Sequence, residues 1–394
     1  MTWNYVDIGS VCLETNQRDP QKEPAKEFVY VDIASVDNQA KRINDLRRVL
    51  GKDAPSRARK EIRAGDILVS TVRPNLNAVA LVPPELDRQI ASTGFCVLRP
   101  DPKLLDGRYL FYRTTSPEFV DFLSHRVTGA NYPAVSDSVV RAAPIPLPPL
   151  PIQKQIAAIL EKADAAREKR RHANQLTEQF LRSAFLDMFG DPVTNPKGWK
   201  TGILAEAIEY SEYGTSVKSN EEKRGYPVLG MGNVTSEGLL DLDDLKYVDL
   251  PDDQFKKLRL RRGDIIFNRT NSTELVGKTA RWNLEMDAVI ASYLVKLRLI
   301  KVFDPNWFSA LLNTHYYKKL FMQRCKKAVG QSNISPILLK EFPMYMPPLE
   351  DQRKFATLAE KVESLRAKQK ESERELENLF NGLMQRAFRG ELVR

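Results

Sequence analysis

The sequence predicts an α+β chain in which two pseudo-repeated α/β domains are separated by two long antiparallel coiled-coil helices. Three observations predict it. A proline-rich segment, Leu147, Pro148, Pro149, Leu150 and Gln153, recurs 199 residues later as Met346, Pro347, Pro348, Leu349 and Gln352. Each copy opens a stretch with apolar residues alternating at three and four, the signature of a coiled-coil seam. Each is preceded by roughly 150 residues of β-rich runs bounded by Pro, Gly and Asp. The boundaries read from these signals are a first globular domain over 1–149, a central helical region over 150–192, a second globular domain over 193–348 and a second helical region over 349–394.

Within the globular domains the landmarks repeat. Trp3 answers Trp199, the Gly65 to Leu68 segment answers Gly263 to Ile266, and Gly129 answers Gly330. In the first domain, Phe28 to Ile33, Asp66 to Val72 and Ala78 to Val82 have strand composition. Tyr109 to Leu123 and Trp307 to Lys319 carry apolar residues at helical spacing. In each Gly-Asp-Ile turn the glycine supplies the turn and the aspartate a local hydrogen bond, so Asp66 and Asp264 are read as structural.

In the helical regions, Ile156, Ile159, Ala163, Ala166, Arg170, Ala173, Thr177, Phe180 and Ala184 form one seam. Phe355, Leu358, Val362, Leu365, Gln369, Ser372, Leu376, Leu379 and Leu383 form the other. Polar residues interrupt both near their centres. Gln153, Ile156, Ile159, Ala163 and Phe180, with Gln352, Phe355, Leu358, Val362, Leu365 and Leu379, are the candidates for pairing the helices or docking a partner. The paired prolines suit a first helical turn, and Gly190 or Gly390 stands where each pattern stops. Two helices of roughly 35 residues extend about 50 Å, longer than a compact domain requires. They read as a spacer between two readers, with half-sites on DNA roughly 10 base pairs apart.

The net charge is +9 over 394 residues, which favours an acidic partner only where the charge is concentrated. No apolar run of membrane-crossing length occurs, and the chain is expected to be cytoplasmic with no membrane partner. Three scattered cysteines and three isolated histidines offer no metal-ligand spacing, so no metal site is expected. No catalytic machinery is found either. There is no Asn-Pro-Pro-Tyr or Asp-Pro-Pro-Tyr segment to hold a target amine, and no glycine-rich turn to hold a methyl donor. Gly277, Lys278 and Thr279 resemble the end of a phosphate-binding loop, but Ser272 stands where its first glycine belongs. The expectation is a non-catalytic chain without a cofactor.

Candidate DNA contacts fall into two groups. Lys41, Arg42, Arg47, Arg48, Lys52, Arg57, Arg59, Lys60 and Arg63 form a basic stretch opposed by only three acids, suited to phosphate contact. Lys41, Arg42, Arg47, Arg48, Arg57 and Arg59 are the candidates taken from it. Arg73 and Asn75 follow a strand, and these residue types read guanine and adenine edges bidentately. Asn268, Arg269, Asn271 and Ser272 stand at the same place in the second half, with similar chemistry and different residues. Arg126, Asn131 and Tyr132 in the first half, and Lys326, Lys327, Gln331, Ser332 and Asn333 in the second, complete the set.

Taken together, the duplicated Pro148, Pro149, Leu150, Gln153 and Pro347, Pro348, Leu349, Gln352 segments, the Pro55 to Arg59 segment and the Gly65 to Leu68 turn resemble type I restriction-modification specificity subunits, over essentially the whole chain. The resemblance implies two target recognition domains that bind a bipartite site on double-stranded DNA, and two methyltransferase subunits docked on the chain. It also implies restriction/translocase subunits joining that complex, and adenine methylation with the methyl donor held by the partner. Two other readings are a specificity chain whose partner fuses methylation and cleavage, and a coiled-coil scaffold that binds no DNA.

Overall fold

Gly65 and Gly263 adopt φ of 89° and 92°, a left-handed conformation that glycine takes without Cβ strain, and each turn feeds a central strand, Ile67–Ser70 or Ile265–Asn268. The aspartate that follows does more than close its turn. Asp66 Oδ2 accepts from Arg63 N and, with Oδ1, from Arg99 at 2.7 and 2.9 Å. Asp264 repeats this with Arg261 N and Arg298 at 2.8 and 2.9 Å. Both carboxylates are 1% exposed, and their bidentate geometry offsets the cost of burying the charge.

These turns belong to a computed structural model that describes residues 3–129, 132–328 and 330–393. The chain divides into two compact units, Met1–Arg171 with Glu371–Arg394, and His172–Lys370. In the first unit, Phe95–Pro100 runs antiparallel between Cys12–Leu13 and Ile67–Ser70, with Val79–Leu81 at the edge. A second sheet has the order Arg47–Leu50, Glu27–Val31, Ile90–Ser92, Ala58–Glu61 and contains one parallel pair. Helices Gly107–Thr115 and Pro117–Ser124 share the core with Ile67, Val69, Cys96 and Leu98.

The second unit repeats the plan. Its first sheet is Ile208–Tyr213, Leu294–Leu299, Ile265–Asn268, Thr279–Arg281, and its second is Lys246–Val248, Tyr226–Leu229, Val289–Ile290, again with a parallel pair. Helices Pro305–Leu312 and His315–Arg324 bury Trp307, Phe308, Tyr317 and Phe321 in its main core.

Leu150–Phe189 and Leu349–Phe388 are continuous helices of 40 residues, and each contributes to both units. Within the second unit they run antiparallel, because Thr177 meets Gln369 at 2.9 Å while Phe185 meets Phe355 at 5.3 Å. Within the first unit Arg167 bonds Glu377 and lies 4.1 Å over the Phe380 ring. The seam differs from the sequence pattern by one residue at every second position. Ile156, Ala163, Phe355 and Val362 pack inward, but Leu160, Leu181, Ala359, Arg366 and Phe380 replace Ile159, Phe180, Leu358, Leu365 and Leu379. Phe180, Leu365 and Leu379 are 52%, 46% and 54% exposed, and Ile159 and Leu358 are half-buried. Three-four and four-three alternation fit a heptad equally well. The second order places Phe185, Phe380 and Met384 inside, and burial of these large side chains decides between the two.

Gln153 and Gln352 do not pair the long helices. Gln153 Oε1 accepts from Asp106 N at 2.8 Å while its Nε2 donates to Leu104 O and Pro148 O. Gln352 does the same with Asp304 N, Val302 O and Pro347 O. Asp106 and Asp304 cap the helices that begin at Gly107 and Pro305. Each buried glutamine therefore fixes the start of a long helix to the loop that launches a domain helix.

Candidate nucleic-acid interface

In the second unit, Thr270–Asn271, Gln331–Asn333 and Lys326–Ala328 form a three-stranded ribbon at the end of the Ile265–Asn268 strand. The ribbon gathers most of the candidates of this half. Lys326, Lys327 and Gln331 are exposed on it, while Asn271, Ser272 and Asn333 are half-buried. Asn268 is not at the surface. It is fully buried, donates to Met231 O at 3.4 Å, and lies inside because it ends a strand whose four residues are all enclosed.

Arg269 is also committed internally. Its Nη2 donates to Asn333 Oδ1 at 3.2 Å and its Nη1 to Ser292 O at 3.3 Å, with the guanidinium 5.0 Å from the centre of the Tyr213 ring. Asn333 Nδ2 donates onward to Thr270 Oγ1 at 2.8 Å, so Asn333 has both ends of its amide engaged. Asn271 Oδ1 accepts from Ser272 N. Tyr213 and Tyr293, 45% and 42% exposed, were missed by sequence reasoning. Tyr213 stacks with Arg269, and the Tyr293 carbonyl accepts from Arg269 N and Thr270 N. An aromatic residue beside Gly214 is the faint sequence signal for Tyr213.

The first unit builds the equivalent place with single bridges. Val72 and Thr128 each bridge Ala134, and Arg73 N donates to Pro133 O at 2.8 Å. This brings Arg73 beside the segment carrying Tyr132, which is 75% exposed. Asn131 lies outside the described residues. Arg73 and Asn77 take φ of 48° and 47° on either side of the 3-10 turn Pro74–Leu76, a backbone fixed by strain that its surroundings must hold. Arg73 and Asn75 are both exposed on it. Arg126 is exposed but packs 3.7 Å from its own Phe122 ring and donates to Phe122 O.

The basic stretch divides into fastened and open cations. Lys41 donates to Asn77 O, and burial pushes its ammonium down to about 8, so it supports the 73–77 loop and is unavailable to phosphate. Arg42 is paired with Glu168, Arg48 with Glu27 and Arg59 with Asp19. Arg47 and Arg57 are exposed, have no ion pair among the described residues, and line one groove of about 420 Å³ with Tyr30, Asp32 and Ser92. With Lys52, likewise exposed and without an ion pair among the described residues, they are the open cations of the stretch, and Asp32 and Asp53 share their groove. Among the described residues no cluster of His, Cys, Asp and Glu fits a metal, and no helix is long and apolar enough to cross a membrane. Burial pushes the Cys12 and Cys96 thiols up to about 12, far from the range of a reactive thiolate.

The family described as type I restriction modification DNA specificity domain matches residues 1–178 and 196–378. The EcoKI type I restriction enzyme specificity subunit of Escherichia coli strain K12 is 26% identical over 332 residues, covering 76% of this chain and 68% of that protein. MjaX, named a type I restriction enzyme specificity subunit in Methanocaldococcus jannaschii, is 30% identical over 196 residues, covering 49% of this chain and 46% of that protein. The match thus spans about half of that relative's length. A solved chain described under complex assembly and conformational transition of the type I R-M system is 32% identical, with TM-score 0.59 over 99% of this chain and 98% of that one. The S subunit of a type I system from M. genitalium, 16% identical with TM-score 0.59 over 98% of this chain and 96% of that one, shares the fold.

Proposed function

Because the chain belongs to the type I restriction modification DNA specificity family, matched in both halves, we infer that it is the DNA sequence-reading subunit of a type I restriction-modification system. One observation carries the assignment of roles. Both units place exposed polar side chains at the same point, beside the end of the strand that follows the Gly-Asp turn, with Arg73, Asn75 and Tyr132 in one and Lys326, Lys327 and Gln331 in the other. A shared scaffold with different side chains is what two readers of different half-sites require.

On this reading, 1–149 and 193–348 are target recognition domains, and 150–192 and 349–394 are the helical regions to which partners dock. Arg47 and Arg57 contact phosphate. The partners are double-stranded DNA, two methyltransferase subunits, and restriction/translocase subunits that join them. Methyl transfer and cleavage belong to those partners, and this chain supplies the address. The scaffold alternative is not favoured, since both halves match a DNA specificity family.

The test is sequencing of methylated bases in cells that carry this chain with its methyltransferase partner. A bipartite motif is expected, and exchanging residues 193–348 for those of a relative should change one half of it only. A single continuous motif would overturn the two-reader assignment.

A further inference from the structure

The internal repeat provides a control for one feature of the second unit. In the first unit Arg167 is closed in: it bonds Asp164 and Glu377 and lies over the Phe380 ring, with 15% of its side chain exposed. The positions 199 residues away are Arg366 for Arg167 and Glu363 for Asp164; across the helix pair, Glu178 answers Glu377 and Leu181 answers Phe380. The closure is not repeated there. Glu363 is taken by Arg281 and Asn283, Leu181 supplies no ring, and Arg366 Nε is buried without a hydrogen-bond partner.

Arg366 instead lines a cavity of about 720 Å³ lying wholly within the second unit. Leu181, Phe185, Leu240, Leu284 and Phe355 form its apolar wall. Arg182 and Lys318 line the cavity with Arg366; burial lowers the proton affinity of Arg366 and Lys318 and the Arg182 charge adds to it, while Glu178 and Glu237 oppose it at both and Glu363 at Arg366. Lys318 Nζ reaches Ser236 O. Arg366 Nε is thus left without a hydrogen-bond acceptor beside an apolar wall, and Leu181 leaves open the space that the larger Phe380 ring takes in the first unit.

The geometry points to a small organic anion, a carboxylate or phosphate ester on a flat apolar body, as the ligand of this cavity, with Arg366 and Arg182 holding the anionic end. This site is separate from the DNA-reading loops and does not rest on their assignment.

The full chain is titrated calorimetrically with 1-naphthyl phosphate, 1-naphthoate and uncharged 1-naphthol. One site per chain is expected for at least one of the two anions, with 1-naphthol at least tenfold weaker; which anion binds more tightly identifies the headgroup. Leu181→Phe builds into the second unit the ring that the first unit carries. It should weaken the anion at least tenfold without lowering Tm, and Arg366→Gln should weaken it similarly with the cavity left open. No binding by either anion, equal binding of 1-naphthol, or undiminished binding by both variants overturns the proposal.

Discussion

Arg269 donates to Asn333 across 64 residues of sequence, at 3.2 Å, with Tyr213 against its guanidinium. The contact joins the end of the central strand to the Lys326–Asn333 hairpin, so Arg269 is a positioning residue for the side chains that hairpin displays. Two different outcomes follow. Arg269→Ala should weaken binding to every DNA sequence by loosening the hairpin, with a loss of about 1–3 kcal/mol in folding stability from the partners left buried. Gln331→Ala should leave stability unchanged and relax discrimination at one base pair of one half-site by about 1–3 kcal/mol. Anisotropy titrations of the complex with its methyltransferase on single-substitution DNA targets, beside urea melts of the free chain, separate the two.

The helix seam gives a second test, because its register decides which apolar residues are core. Leu160 is fully buried while Leu379 is 54% exposed. Leu160→Ala should destabilise the first unit by about 2–5 kcal/mol, the range for removing a buried leucine. Leu379→Gln should change the stability of the free chain by less than about 0.5 kcal/mol. Urea unfolding of the two variants checks this, and the opposite ranking would restore the three-four register.

What the sequence made legible is what repeats or is local. The duplicated prolines, the two long helices and the Gly-Asp turns follow from spacing and turn chemistry within a few residues. What stayed hidden depends on partners brought close by the fold. Asp66 meets Arg99, Gln153 meets Asp106, and Lys41 meets Asn77, none within reach by local pattern. Asn268 and Arg269 have the composition of a base reader, yet one ends a fully enclosed strand and the other is used internally. The seam slipped by one at every second position because three-four and four-three alternation both fit a heptad, and only tertiary packing chooses between them.

Lys296 supplies a pH dependence. It is 2% exposed, and its Nζ donates to Lys257 O at 2.8 Å and Arg259 O at 3.2 Å, at the end of the helix Asp252–Leu258. Burial, aided by the Arg298 charge and opposed by Asp264, pushes its ammonium down to about 8, whereas an unfolded lysine titrates near 10.4. Below about pH 8 both states hold the proton and the folded state bears the full cost of a buried charge. Between about 8 and 10.4 the folded state releases that proton while the unfolded state keeps it, so stability rises with pH across this window, by at most about 1.4 kcal/mol per unit. Tyr210, beside it, is raised to about 12 and stays neutral there. Lys296→Met removes the titration together with the two hydrogen bonds. The stability of the wild-type chain relative to Lys296→Met, from urea melts at pH 7.0 and 9.5, should therefore increase with pH; a difference that stays constant or shrinks would show that the ammonium is not depressed by burial.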